Sequence, residues 1–288
     1  MTELIAVGTD GSAAAAEALG WAVDDAARRG LPLRIVHVVD RWPYGVSGFP
    51  GPDRGDRMML LGERVLAEAA EIAAARGPGV RVSTELAEGV PPEVLLGWAR
   101  TAAELVVGDR GAGGAGSPLG SVPLHVAGHV SGAVVVVRWS PVRGAGPPDG
   151  EEEVVVGIDG SAECAPALEF AFTQAGLRGC ALRAVYAWRL PSYALVPEEG
   201  PDTDEVRRRH RRAATAQFAA WRKRFPLVEA VREVTFAHPV QALVAASARA
   251  GLLVVGSRGL DAVGSVVLGS VSREVLHHAH CPIAVVRS

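Results

Sequence analysis

Leu252-Leu253-Val254-Val255-Gly256-Ser257-Arg258-Gly259 is an apolar run closing on two glycines, and after nine intervening residues stands Gly269-Ser270-Val271. Four large aliphatic residues bounded by turn formers read as a buried strand, and Val271 to Leu276 reads as a helix entered through Gly269 and Ser270. Strand, glycine loop and helix start together make a place for an anion. Glycine lets backbone N–H groups approach a ligand without a Cβ in the way, and a helix N-terminus adds unpaired donors and about half a unit of positive charge. Gly256, Gly259, Gly269, Ser270 and Val271 are therefore candidate ligand-binding residues.

The pattern occurs twice. Leu105-Val106-Val107 runs into Gly108-Asp109-Arg110-Gly111, followed by Gly120-Ser121-Val122. A shift of 149 positions carries Gly8, Asp10, Gly11 and Ser12 onto Gly157, Asp159, Gly160 and Ser161, and Val136-Val137-Arg138 onto Val285-Val286-Arg287. In between the shift is 148, pairing Gly108, Arg110 and Gly111 with Gly256, Arg258 and Gly259. The compensating residue falls in the loop: eight residues separate Gly111 from Gly120, against nine between Gly259 and Gly269. The duplication predicts domains at 1–140 and 153–288, joined by a Gly- and Pro-rich linker over 141–152.

Within each repeat, apolar strand runs alternate with helical ones. In the first, strands are expected over Leu4–Val7, Leu33–Val39, Val80–Leu86, Leu105–Val107 and Ala133–Val137, and helices over Ala13–Arg29, Met58–Arg76, Pro92–Ala103 and Val122–His129. Such alternation predicts an α/β fold, a parallel sheet covered on both faces, with the ligand beyond the carboxyl ends of the strands where strand order reverses. Asp10, Val38 and Gly108 then face one site, and Asp159, Ala187 and Gly256 the other. The inserts Arg41–Arg57 and Arg189–Asp204, rich in Pro and Gly, leave the same side of the sheet and read as lids, partner surfaces or unstructured loops.

Composition narrows the function classes. With 288 residues, 49% of them hydrophobic, each repeat can bury its own core. A net charge of −3 gives no general attraction to nucleic acid or an anionic membrane. No apolar run reaches the roughly 20 residues of a membrane span, and Met1-Thr2-Glu3 leads straight into a strand, so a cytoplasmic location is expected. Cys164, Cys180 and Cys281 have no close-spaced partner and read as buried thiols. Lys223 is the only lysine, which excludes a G-x-x-x-x-G-K-[ST] phosphate loop.

The openings Val7-Gly8-Thr9-Asp10-Gly11-Ser12 and Val156-Gly157-Ile158-Asp159-Gly160-Ser161, with the closing G-x-x-G-(x9)-G-S pattern and Cys281-Pro282, resemble the universal stress protein family in its tandem form. That resemblance implies two tandem Rossmann-like domains, each a five-stranded parallel sheet with helices on both faces. It also implies ATP, with or without Mg2+, bound without a P-loop. On this reading Asp159 contacts the ribose or adenine side, Ala187 offers backbone groups to adenine, Gly256 lies against the ribose, and Gly259, Gly269, Ser270 and Val271 wrap the triphosphate. Asp10, Val38, Gly108, Gly111, Gly120, Ser121 and Val122 are the first-repeat equivalents. A strand-end carboxylate can accept from two vicinal hydroxyls, but Asp159 before Gly160-Ser161 can equally cap a helix start, and the glycine loops can be tight turns without a ligand.

Other motifs are weaker. Gly111 to Gly116 matches G-x-G-x-x-G but follows a late strand without the acidic residue of a dinucleotide site. His277-His278-Ala279-His280-Cys281 falls at a helix end, where histidines complement the dipole, and Arg207 to Arg212 reads as a solvated helix face. No Ser-His-Asp arrangement, HExxH-type site or acidic pair stands at the strand ends, so the expected role is a non-catalytic, ATP-dependent regulator in stress response. The alternatives are a slow ATPase or other ATP-using enzyme, and a ligand-free scaffold. Expected partners are ATP, an unidentified regulatory protein and a second copy of the chain, with no nucleic acid and no membrane. The two repeats are expected to pair through Ala133–Val137 and Ile283–Val286, which would shield four consecutive valines from water.

Overall fold

The computed structural model describes residues 3–40, 52–112, 119–129, 131–138, 153–188, 203–259 and 268–287. The linker 141–152, the insert segments 41–51 and 189–202, and loop residues 113–118 and 260–267 lie outside them. The chain divides into two units, Met1–Val142 and Arg143–Ser288.

In the first unit β1 (Ile5–Gly8) leads through Ser12 into α1 (Ala13–Arg29). The Ser12 hydroxyl accepts from Ala15 N–H at 3.2 Å, filling one of the orphan donors of the helix start. Gly30, in the left-handed region at φ 65°, ends the helix, as Gly179 does in the other unit at φ 63°. Then follow β2 (Leu33–Val39), α2 (Pro52–Arg76), β3 (Val82–Glu88), α3 (Pro91–Ala99), β4 (Glu104–Gly108), α4 (Ser121–His129) and β5 (Gly132–Val137). Strand order is β3-β2-β1-β4-β5, with every pair parallel.

The second unit repeats the plan. β6 (Glu153–Gly157) passes through a 3-10 turn (Ala162–Cys164) into α5 (Ala165–Arg178), followed by β7 (Leu182–Trp188), α6 (Thr203–Arg224), β8 (Ala230–Phe236), α7 (Pro239–Ser247), β9 (Ala250–Gly256), α8 (Ser270–His278) and β10 (Ile283–Arg287). Its order is β8-β7-β6-β9-β10, again parallel. In both units strand order reverses between the first and fourth strands, which sets a crevice at their carboxyl ends. The fold is α/β with mostly parallel sheet flanked by helices. The central strands are buried on both faces, Val154 to Val156 and Leu252 to Val255 among them, as their unbroken aliphatic runs require.

Several boundaries differ from the sequence reading. α2 starts at Pro52 rather than Met58, since proline suits a first helical turn; α3 stops at Ala99 rather than Ala103, where Thr101 and Ala102 N–H both turn back to the Trp98 carbonyl. Cys164 and Cys281 are buried and Cys180 only half-buried. No helix among the described residues is long and apolar enough to cross a membrane.

Candidate functional site

Asp159 stands two residues past the end of β6, in the turn that leads to the 3-10 segment at Ala162. Its Oδ1 accepts from Ser161 N–H at 2.9 Å and from the Ser161 hydroxyl at 2.6 Å, so this Ser donates to Asp159 and makes no side-chain cap on the helix. A Cβ on Gly259 would stand 2.8 Å from the other oxygen, Oδ2. The glycine loop thus passes over the carboxylate at a distance only glycine allows. From α6, Gln217 Nε2 donates to the Ser161 carbonyl at 2.7 Å and fixes the turn from outside.

Two buried groups adjoin Asp159. Burial first, and then the charge of Asp159, push the Tyr186 phenol up to about 12; the same two causes in the same order hold the Cys164 thiol at about 12, against a hydrogen bond that lowers it. Both are neutral at pH 7, so neither competes with Asp159 for a cation, and Cys164 is no thiolate nucleophile. Sequence reading missed both; the only signal was their position, five residues after Asp159 and one before Ala187.

The other side of the crevice is built by α8. Gly269, at φ −63° and ψ 152°, is its N-cap and supplies no side-chain acceptor, so the first-turn amides, starting with Ser270 and Val271, face the crevice mouth uncapped by a side chain. Gly269 N–H is fixed by the Ser257 carbonyl at 2.8 Å, and the Ser272 hydroxyl donates to the Gly256 carbonyl at 2.6 Å, tying helix to loop. Ala187 lies at the carboxyl end of β7, two residues past Val185, whose carbonyl accepts from Ile158 N–H at 3.0 Å. A hollow of about 600 Å³ lies along α8, but of the candidate residues only Ser270 lines it.

The first repeat assembles the equivalents differently. Asp10 Oδ1 accepts from Ser12 N–H at 3.0 Å, and Oδ2 accepts from Ala112 N–H at 2.8 Å, a bond between residues 102 apart that pins the glycine loop to β1. A Cβ on Gly111 would stand 2.5 Å from that oxygen. Gly108 is required by packing, because a Cβ there would meet the Ala14 carbonyl oxygen of α1 at 2.8 Å. Val38 is the penultimate residue of β2, beside His37, whose Nδ1 hydrogen-bonds the Thr9 carbonyl at 2.8 Å. Gly120 N–H donates to the Asp109 carbonyl at 2.7 Å, and Ser121 and Val122 open α4. Each crevice therefore gathers its strand-end Asp and glycine loop, whereas Val38 and Ala187 are placed by their strands alone.

Among the described residues, no three His, Cys, Asp or Glu side chains gather to hold a metal. His277 and His278 occupy the last turn of α8, where His278 Nε2 lies 3.6 Å from a Glu274 oxygen.

A tandem α/β pair with this loop after each fourth strand is the architecture of a known class, and the comparisons agree. The universal stress protein family model matches residues 1–138 and again 152–287. The chain is 34% identical to a universal stress protein of Mycobacterium tuberculosis H37Rv over 98% of this chain and 96% of that one. It is 32% identical to one of Mycolicibacterium smegmatis over the same shares. The crystal structure of a universal stress protein from Archaeoglobus fulgidus superposes with a TM-score of 0.69 over 99% of this chain and 96% of that one at 21% identity, a likeness of fold. The chain belongs to the universal stress protein family.

Proposed function

We propose that the second repeat binds an adenine nucleotide, ATP, and that occupancy makes the protein a nucleotide-dependent regulator rather than an efficient enzyme. The observation that carries this reading is the uncapped start of α8 at Gly269 beneath a glycine loop that crosses Asp159 at glycine-only distance. Donors for phosphate and an acceptor for ribose hydroxyls then stand on opposite sides of one crevice. Mg2+, where present, would travel with the phosphates, since Asp159 already accepts twice from Ser161. The chain's own residues bind and orient; the Tyr186 phenol and the Cys164 thiol beside Asp159 are both held in their neutral forms, so turnover should be slow at most.

Mass analysis of nucleotide released on denaturing the purified protein tests this directly. ATP in near-stoichiometric amount supports the reading. Protein that arrives empty and binds no adenine nucleotide on titration overturns it in favour of a scaffold, and rapid ATP hydrolysis overturns the non-catalytic part.

A further inference from the structure

We propose that the two repeats select ligands of different charge: Arg258 faces the phosphates in the second, while Asp109 neutralises the matching Arg110 in the first. The inference rests on the nucleotide reading above and assigns the ligand class of each crevice.

The backbones of the two loops are bonded alike. Asp109 N–H donates to the Val137 carbonyl at 2.8 Å and Ser257 N–H to the Val286 carbonyl at 3.0 Å; the Asp109 carbonyl then accepts from Gly120 N–H, as the Ser257 carbonyl does from Gly269 N–H, at 2.7 and 2.8 Å. Both side chains are buried, Asp109 at 2% exposure and Ser257 at 3%. What differs is charge. Asp109 Oδ1 lies 3.8 Å from Arg110 Nε, so the first loop carries a cation already matched by a buried carboxylate. Ser257 offers no such partner, and Arg258 Nε is buried without a hydrogen-bond acceptor among the described residues.

A buried donor left unbonded carries the whole loss of its hydration, so an oxyanion reaching Arg258 would gain more than the same anion at a paired guanidinium. The residue is well placed for that. Arg258 Cα is 3.6 Å from the point where a Cβ on Gly269 would stand, directly against the N-cap of α8. In the second crevice the guanidinium and the helix N-terminus then act together on a polyanion, which suits a nucleoside di- or triphosphate. In the first, a fixed carboxylate opposes each added phosphate charge, which suits a nucleoside or monophosphate.

Calorimetric titration with ATP and with adenosine, on full-length protein with one crevice blocked, tests the proposal. Gly269→Val leaves the first crevice and Gly120→Val the second. The second crevice should prefer ATP over adenosine by at least about tenfold, and the first should show a ratio closer to one. Asp109→Ser should raise the first ratio, with the isosteric Asp109→Asn as the variant that keeps the loop packed. Arg258→Gln should lower the second ratio by about tenfold, mainly through ATP, and should flatten its salt dependence. Equal ratios in the two crevices that none of these substitutions moves would overturn charge selection while leaving nucleotide binding standing. Binding of neither probe at either crevice would overturn the nucleotide reading itself, and charge selection with it.

Discussion

A glycine's worth depends on what its missing Cβ would touch. At Gly108 that atom would press on the carbonyl oxygen of Ala14 at 2.8 Å, whereas at Gly256 the nearest atom is the Arg258 oxygen at 3.1 Å. Gly108→Ala should therefore cost about 1–3 kcal/mol in urea unfolding, and Gly256→Ala distinctly less; equal losses would contradict the packing role given to Gly108. The protonation of Tyr186 and Cys164 gives a second prediction. Both acids have folded values raised to about 12, so the folded state holds its protons longer than the unfolded chain. Their contribution is fully present below pH about 9 for the thiol and about 10 for the phenol, and it is lost as pH rises through about 12. Tyr186→Phe and Cys164→Ala should flatten the fall of stability over that alkaline range, measured by urea midpoints from pH 8 to 11. At neutral pH a thiol reagent should label Cys180 well before Cys164 or Cys281.

Helix starts separate a capping serine from an anchoring one. Ser12 caps α1 through Ala15 N–H, so Ser12→Ala should cost about 1 kcal/mol and leave ligand binding at the second crevice unchanged. Ser161 instead donates to Asp159, and Ser161→Ala should act mainly by loosening that carboxylate, seen as weaker ATP binding with little change in melting temperature. At the element scale the sequence was legible where one signal dominated. α1 and β2 stand at their expected limits because Gly30 and the strand's aliphatic run are unambiguous. The true start of α2 at Pro52 was hidden, because Gly- and Pro-rich sequence reads as loop until a tertiary contact decides. Gly62 on that helix lies so close to β2 and β3 that a Cβ would reach Leu86 at 2.7 Å. The side chains that surround Asp159 were illegible for a related reason: Cys164, Tyr186 and Gln217 come from three elements that only the fold brings together.

At the scale of the whole molecule the duplication makes each repeat the control for the other. The glycine positions and strand-end Asp residues were readable as repeats, and their geometry recurs, with Gly111 and Gly259 each crossing an Asp carboxylate. What the duplication alone did not reveal is that Asp10 holds the first loop through Ala112 N–H at 2.8 Å. The first loop is also one residue shorter, so the first repeat should bind ATP at least about tenfold more weakly, about 1.4 kcal/mol. The central claim is that ATP binds at the start of α8. A Cβ at Gly269 would meet nothing nearer than 3.4 Å, and its φ of −63° suits any residue, so Gly269→Val should fold normally while covering the phosphate donors. The most direct test is calorimetric titration of ATP into the wild-type protein and Gly269→Val, with circular dichroism confirming equal folding. The account predicts that the tighter binding event disappears in the variant; ATP affinity identical in the two proteins would contradict it.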